Sequence, residues 1–164
     1  MPLLFTDLQE TDLPFVKEVY DYYTLHTTIV YFIQPVRIEE LKALIPIGNK
    51  KYRSYLVCTN TREKCGFCYF TQFKPRAAFH VSVEVTLYLN PQYAGKGYGK
   101  EILNFIEPVI REAGYKNIMA LVSGENESSI RLFEKCGYNC CGNICQVAEK
   151  FGQKLDLKLF QKLI

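Results

Sequence analysis

Two stretches of this chain hold residues whose types and spacing can do chemistry. The first is Ala94-Gly95-Lys96-Gly97-Tyr98-Gly99, three alternating glycines just ahead of a helix-like pattern. Glycine disfavours a helix, so here the backbone itself is the candidate. A glycine-rich turn between strand and helix presents successive N–H groups, and the helix N-terminus adds partial positive charge. Together they form a phosphate cradle, with Lys96 and Lys100 adding charge at its rim. The stretch is not a P-loop, because no Gly-Lys-Ser/Thr follows a four-residue gap. Its glycines at i, i+2 and i+4 also miss the dinucleotide fingerprint. Taken by itself, it reads equally well as a plain structural turn.

The second is Glu84, set among apolar neighbours in Val81-Ser82-Val83-Glu84-Val85-Thr86-Leu87-Tyr88-Leu89. A carboxylate on a strand is costly unless it is partnered or faces a cavity. One that faces a cavity can take a proton from a substrate amine. The competing reading is an outward-facing charge, since Ser82, Glu84 and Thr86 share one parity.

These residues need elements to hold them. Pro2–Leu8 reads as a short strand. Thr11–Thr27 reads as a helix capped by Thr11 or Asp12, with Pro14 in its first turn and Phe15, Val19, Tyr22 and Tyr23 on one face. A second helix spans Arg37–Ile45. Ser54–Thr59 and Lys64–Phe73 read as a hairpin. Ala78–Asn90 alternates over a long span and reads as one strand, ended by Asn90-Pro91. The glycine stretch opens a helix from Gly97 to about Ala113, with Gly114 as its C-cap. Lys116–Ser123 is a strand and Asn126–Tyr138 a capped helix. The tail reads as two more strands. This order implies a mixed α/β fold, one twisted sheet with helices on both faces, and a single domain over residues 1–164.

The bulk numbers exclude several classes. A net charge of +3, scattered along the chain, is too weak to argue for nucleic acid. No apolar run approaches a membrane span, and the N-terminus carries an acid where a signal peptide needs apolar residues. The expectation is a cytoplasmic protein. Seven cysteines, an odd count, argue against a disulfide framework. Cys65-Gly66-Phe67-Cys68 has zinc-knuckle spacing, but a strand sends residues i and i+3 to opposite faces, which favours buried free thiols and no metal.

The element order, with a long strand feeding the glycine turn, resembles the GNAT N-acetyltransferase superfamily. Its pyrophosphate motif, Arg/Gln-x-x-Gly-x-Gly/Ala, falls on Ala94–Gly99, with Ala94 in place of the usual Arg or Gln. The departure removes a side chain and keeps the N–H donors. Asn126-Glu127-Ser128-Ser129 resembles the start of the superfamily's second signature helix, placing Asn126 and Ser129 near the cofactor's pantetheine and phosphates. Lys74–Gly99, the tail Glu149–Gln161 and Val19–Pro35 together resemble the phosphinothricin acetyltransferase branch. The resemblance covers nearly the whole chain.

The resemblance implies a mostly antiparallel twisted sheet flanked by helices, and acetyl-CoA as co-substrate. It also implies direct acetyl transfer to the amine of a small amino-acid-like acceptor, with Glu84 as general base. Leu87, Tyr88 and Leu89 would lie beside the pantetheine, at a strand that usually carries a bulge. Backbone N–H groups near Val85 to Leu87 would polarise the thioester carbonyl. Lys74 and Arg76 match the branch's acceptor-binding pair, and Phe32, with Tyr31 and His26, would line the acceptor side. His80 would pack or hydrogen-bond on the strand beside the site. Asp156 and Lys150 match the terminal motif, in which Asp156 would position Lys150 or a neighbouring strand. Ile33 stands where the branch often has arginine.

Phe133 stands where relatives carry a tyrosine or histidine as acid for the leaving thiolate. Either Tyr138 or another tyrosine replaces it, or the thiolate leaves unprotonated, or the chain turns over weakly. The branch also implies a homodimer. Two rival functions keep the fold: acetylation of a protein N-terminus or lysine, and a non-catalytic acetyl-CoA sensor. The sensor has no use for Glu84.

Overall fold

The computed structural model describes residues 2–164. Its centre is a seven-stranded sheet ordered β1-β2-β3-β4-β5-β7-β6. The strands are β1 (Leu4–Asp7), β2 (Ser54–Cys58), β3 (Lys64–Gln72), β4 (Ser82–Leu89), β5 (Asn117–Ser123), β6 (Asn139–Lys150) and β7 (Gln153–Leu163). Only β4 and β5 run parallel; every other pairing is antiparallel. The helices are α1 (Leu13–His26), α2 (Ile38–Leu44), α3 (Tyr98–Glu112) and α4 (Glu127–Lys135).

Each face of the sheet has its own core. Val83, Val85, Phe70 and Val57 pack with Ile102, Leu103, Ile106 and Ile110 of α3 on one side. Phe67 and Tyr69 pack with Leu13, Val16, Val19 and Tyr20 of α1 and Leu41 of α2 on the other. The apolar stripe of α3 recurs every three to four residues, which is why that segment is helical. Pro108 sits inside it without ending it. Gly114, at φ +94°, then turns the chain out.

Four expectations need correction. The buried stripe of α1 is Leu13, Val16, Val19, Tyr20 and Thr24, rotated from the face read in the sequence; Tyr22 is exposed. Asp12 occupies the cap position but its carboxylate accepts from the Gln9 N–H at 3.0 Å and does not cap α1. The strand read over Ala78–Asn90 begins only at Ser82, because Ala77–Val81 is a 3-10 turn. Those residues lie beyond the end of β3, whose Gln72 pairs with Val83. Without a strand partner, their backbone bonds locally, as in Phe79 N–H to the Arg76 carbonyl.

The fourth concerns Cys65 and Cys68. The β2–β3 register jumps between Val57–Gly66 and Cys58–Lys64, so Cys65 is the extra residue of a bulge. The bulge turns both thiols into the same core on the α3 side, where both are fully buried. Burial pushes the Cys65 thiol up to about 11 and raises Cys68 further.

Candidate active site

The parallel β4–β5 ladder holds only three pairs: Ser82–Asn117, Val83–Ile118 and Glu84–Met119. Past Glu84 the two strands part. The β5-facing backbone of Val85 to Leu89 is left without a strand partner, and a cavity of about 350 Å³ opens there. By contrast, the β3–β4 register runs unbroken from Gln72–Val83 to Gly66–Leu89. The expected bulge in β4 is therefore absent, and the fork arises from divergence of β4 and β5.

Glu84, Thr86 and Tyr88 alternate with the core-facing valines and point towards α1 and the loop after it. All three line the cavity. Glu84 is half-buried and makes no hydrogen bond within the described residues. Burial raises its pKa, opposed by the field of Lys74. Desolvation that is only partly compensated suits a general base. Lys74 itself is exposed, with its Nζ 5.1 Å from the Phe73 ring centre. Arg76 is exposed at the head of the 77–81 turn, and neither residue lines the cavity.

Across the fork, Ser123 at the end of β5 and Asn126, Ser129 and Phe133 of α4 form the opposite wall. The Asn126 side-chain oxygen accepts from the Ser129 N–H at 3.2 Å and the Ser128 hydroxyl at 3.0 Å. Asn126 is thus a true N-cap as well as part of the cavity wall. Phe133 packs edge-on to Tyr138, centroids 4.9 Å apart. Tyr138 lies behind it, its hydroxyl buried beside the Glu107 carboxylate and its pKa raised by burial and by Glu107. Tyr138 does not line the cavity.

The third wall is the Thr27–Val36 segment. Tyr31 and Phe32 line the cavity as expected. His26 does not; it packs at a tilt against Tyr22 at the surface, ring centres 5.1 Å apart. His80 is also displaced from its expected strand: it sits exposed in the 3-10 turn, its Nδ1 2.9 Å from the Ala77 carbonyl. The terminal pair divides: Asp156 holds the neighbouring strand β6, one of its two expected roles, and does not position Lys150. The Asp156 carboxylate binds the Asn143 amide at 2.9 Å and the Gln146 N–H at 2.8 Å, within the irregular part of β6. Lys150 makes no contact with it. The buried Lys150 ammonium instead donates to the Val30 carbonyl at 2.8 Å. The Tyr31 hydroxyl donates to the Asp156 carbonyl at 2.5 Å, so both residues hold this wall through its backbone and ring.

The glycine turn follows β4 after a short 3-10 turn, Pro91–Tyr93. Gly95 and Gly97 have φ of +75° and +82°, and Gly97 is the N-cap of α3. No N–H from Gly95 to Gly99 finds an acceptor among the described residues, and a Cβ at Gly95 or Gly97 would meet nothing within 4 Å. Open space before a row of free donors fits a pyrophosphate. Ala94, Lys96 and Lys100 are exposed around it; the Lys96 Nζ lies 4.9 Å from the Tyr93 ring centre. Tyr98 packs against Tyr93. Gly99 serves packing as well: a Cβ there would come within 2.7 Å of Leu132 on α4. Leu87 and Tyr88 line the cavity. Leu89 does not, but its carbonyl accepts the Tyr23 hydroxyl at 2.8 Å.

Sequence reasoning missed Tyr20 and Tyr69. Their hydroxyls meet at 2.9 Å on the cavity floor, and burial raises both pKa values. Leu44 and Ser123 were missed too. The helical period of α1 carried a signal for Tyr20; nothing local marked the others.

A sheet forked beside a desolvated carboxylate, with a donor-lined helix N-terminus following the forked strand, defines an acyl-CoA N-acyltransferase architecture. The chain belongs to the acetyltransferase (GNAT) family, whose family model matches residues 16–138. It is an N-acetyltransferase by that membership. Among curated relatives, it is 27% identical over 161 residues to an L-methionine sulfoximine/L-methionine sulfone acetyltransferase of Salmonella typhimurium, covering 98% of this chain and 93% of the relative. A phosphinothricin N-acetyltransferase of Alcaligenes faecalis is 25% identical, over 94% of this chain and 79% of its own. Among solved structures, a GNAT superfamily phosphinothricin acetyltransferase from Sinorhizobium meliloti in complex with AcCoA matches at a TM-score of 0.93 and 25% identity. That match covers 100% of this chain and 89% of the other.

Proposed function

We propose that this protein transfers an acetyl group from acetyl-CoA to the primary amine of a small amino-acid-like acceptor, by direct attack in a ternary complex. The observation that carries the reading is Glu84: a half-buried carboxylate without a hydrogen bond, set where β4 and β5 part. The names of the relatives, acetyltransferases of small amino-acid-like compounds, support the acceptor class.

The N–H groups of Gly95 to Gly99 would hold the pyrophosphate, with Lys96 and Lys100 at the rim. The unpaired backbone from Val85 to Leu89 would bond the pantetheine arm as an added strand does, with Asn126, Ser129 and Phe133 opposite. Acetyl-CoA supplies a thioester whose carbonyl carbon is electrophilic. Glu84 takes the amine proton, directly or through one water, as the nitrogen attacks. Backbone N–H groups of β4 beyond Glu84 stabilise the developing oxyanion. Collapse of that oxyanion re-forms the carbonyl and breaks the C–S bond. The thiolate leaves without an acid from Phe133, which is feasible because a thiol pKa of about 8.5 lies near neutrality.

Protein N-acetylation is the weaker reading, because the Thr27–Val36 wall, pinned at Val30 and Tyr31, lines the acceptor side. A pure sensor has no use for Glu84. The reading includes a homodimer, to be checked by light scattering. The test of function is free-thiol release from acetyl-CoA against amino acids, phosphinothricin, methionine sulfone and short peptides. Release with a small amine supports it; release only with peptides, or none with any acceptor, refutes it.

A further inference from the structure

The reactive cavity holds one ionisable group besides its tyrosines, and that group is Glu84. Among the described residues, no lysine, arginine or histidine lines it. Next to it lies a second hollow of about 370 Å³, formed by Phe32, Val36, Glu40, Leu41, Ala43 and Leu44. Phe32 and Leu44 line both, so the two spaces adjoin at the Phe32 ring and the end of α2. The ring is held edge-on to Tyr20, centroids 5.8 Å apart. Glu40 is turned to Arg37, which it ion-pairs at 3.4 Å. The hollow is otherwise apolar.

Resting on the function proposed above, we infer that the acceptor is an amino acid with an uncharged, apolar side chain, seated past Phe32 and Leu44 in this hollow. The amine must lie at Glu84. One cation field, that of Lys74, reaches Glu84, and it can offset one α-carboxylate at the cavity mouth. A second anion on the side chain would enter walls that offer it no positive partner, at a desolvation cost the site does not return. An apolar chain instead displaces water from an apolar surface, gaining on each methylene. A glutamate-like or phosphinate-bearing acceptor is therefore disfavoured by the same walls that accept a straight alkyl chain.

The experiment is a series of acceptors with the intact protein: alanine, 2-aminobutyrate, norvaline and norleucine, with glutamate and phosphinothricin as anionic comparators. kcat/KM is expected to rise about four-fold per methylene until the hollow is filled, which is the value of one buried methylene. Leu44→Arg, on the half-exposed end of α2, should then lower kcat/KM for norleucine and raise it for glutamate, while the KM for acetyl-CoA stays put. A flat series, or glutamate preferred over norleucine by the unaltered protein, overturns the inference and leaves the acetyltransferase reading standing. No thiol release with any amine takes down that reading, and this one with it.

Discussion

Glu84 faces Met119 in the last pair of the parallel β4–β5 ladder. One residue further on, the same strand has lost its neighbour. The carboxylate thus sits at the point where sheet becomes cavity, held by three ladder pairs on one side and open to substrate on the other. Its pKa is raised because that position strips water from it.

Such a placement has a stability consequence. A carboxyl raised by burial is favoured by folding in its protonated form. Its ionised form therefore lowers stability as pH rises through the raised pKa. Glu84→Gln is expected to raise Tm at neutral pH, and the gain should shrink as pH falls into the ordinary carboxylate range. Thermal melts of both proteins across pH check this; an equal or lower Tm for the variant at neutral pH would count against a desolvated Glu84.

Gly97 and Gly114 flank α3 with the same left-handed backbone, φ +82° and +94°, and both face open space. Alanine at either should cost about 1–2 kcal/mol through backbone strain. Only Gly97→Ala places a methyl group before the free N–H row, so only it should weaken CoA binding, by at least ten-fold in calorimetric titration. Equal CoA affinity in both variants would refute the cradle.

Tyr138 buries its hydroxyl beside the Glu107 carboxylate, whose Oε1 has no other donor. Tyr138→Phe removes that hydroxyl at nearly constant shape. It should leave turnover within two-fold and lower stability by about 1 kcal/mol, the lower end of the cost of leaving a buried acceptor without its donor. A large drop in kcat would restore Tyr138 as the thiolate's acid.

The Lys150 ammonium holds the Val30 carbonyl, and with it the wall bearing Tyr31 and Phe32. A hydrogen bond to a charged group contributes about 1.5 kcal/mol at least. Lys150→Met should therefore raise the acceptor KM about ten-fold with little change in the KM for acetyl-CoA. Matched losses in both would indicate general unfolding and not a released wall.

The element order was legible because each segment carries its own period: 3.6 in α3, two in β4. Glu84, the glycine turn and the Asn126 cap were legible because each breaks a local rule, a charge among valines or glycines against a helix. What stayed hidden depends on partners far along the chain. The Ala77–Val81 turn alternates like a strand, but β3 ends before it. The Cys65 bulge depends on a register set by β2. The Tyr20–Tyr69 contact joins a helix to a strand 49 residues away, and Lys150 reaches Val30 across 120 residues. Lys74 and Arg76 match a binding pair by motif, and their exposed places ahead of the 77–81 turn, outside the cavity lining, depend on where β3 ends.

The measurement that bears most directly on the central claim is thiol release from acetyl-CoA at saturating acceptor, with the unaltered protein and Glu84→Gln side by side, from about pH 6 to about pH 9. A general base predicts a loss of about 10²- to 10⁴-fold in the variant near neutral pH. It also predicts that the gap narrows where free amine is abundant, and that acetyl-CoA affinity is unchanged. Equal rates for the two proteins across that range would contradict the role assigned to Glu84.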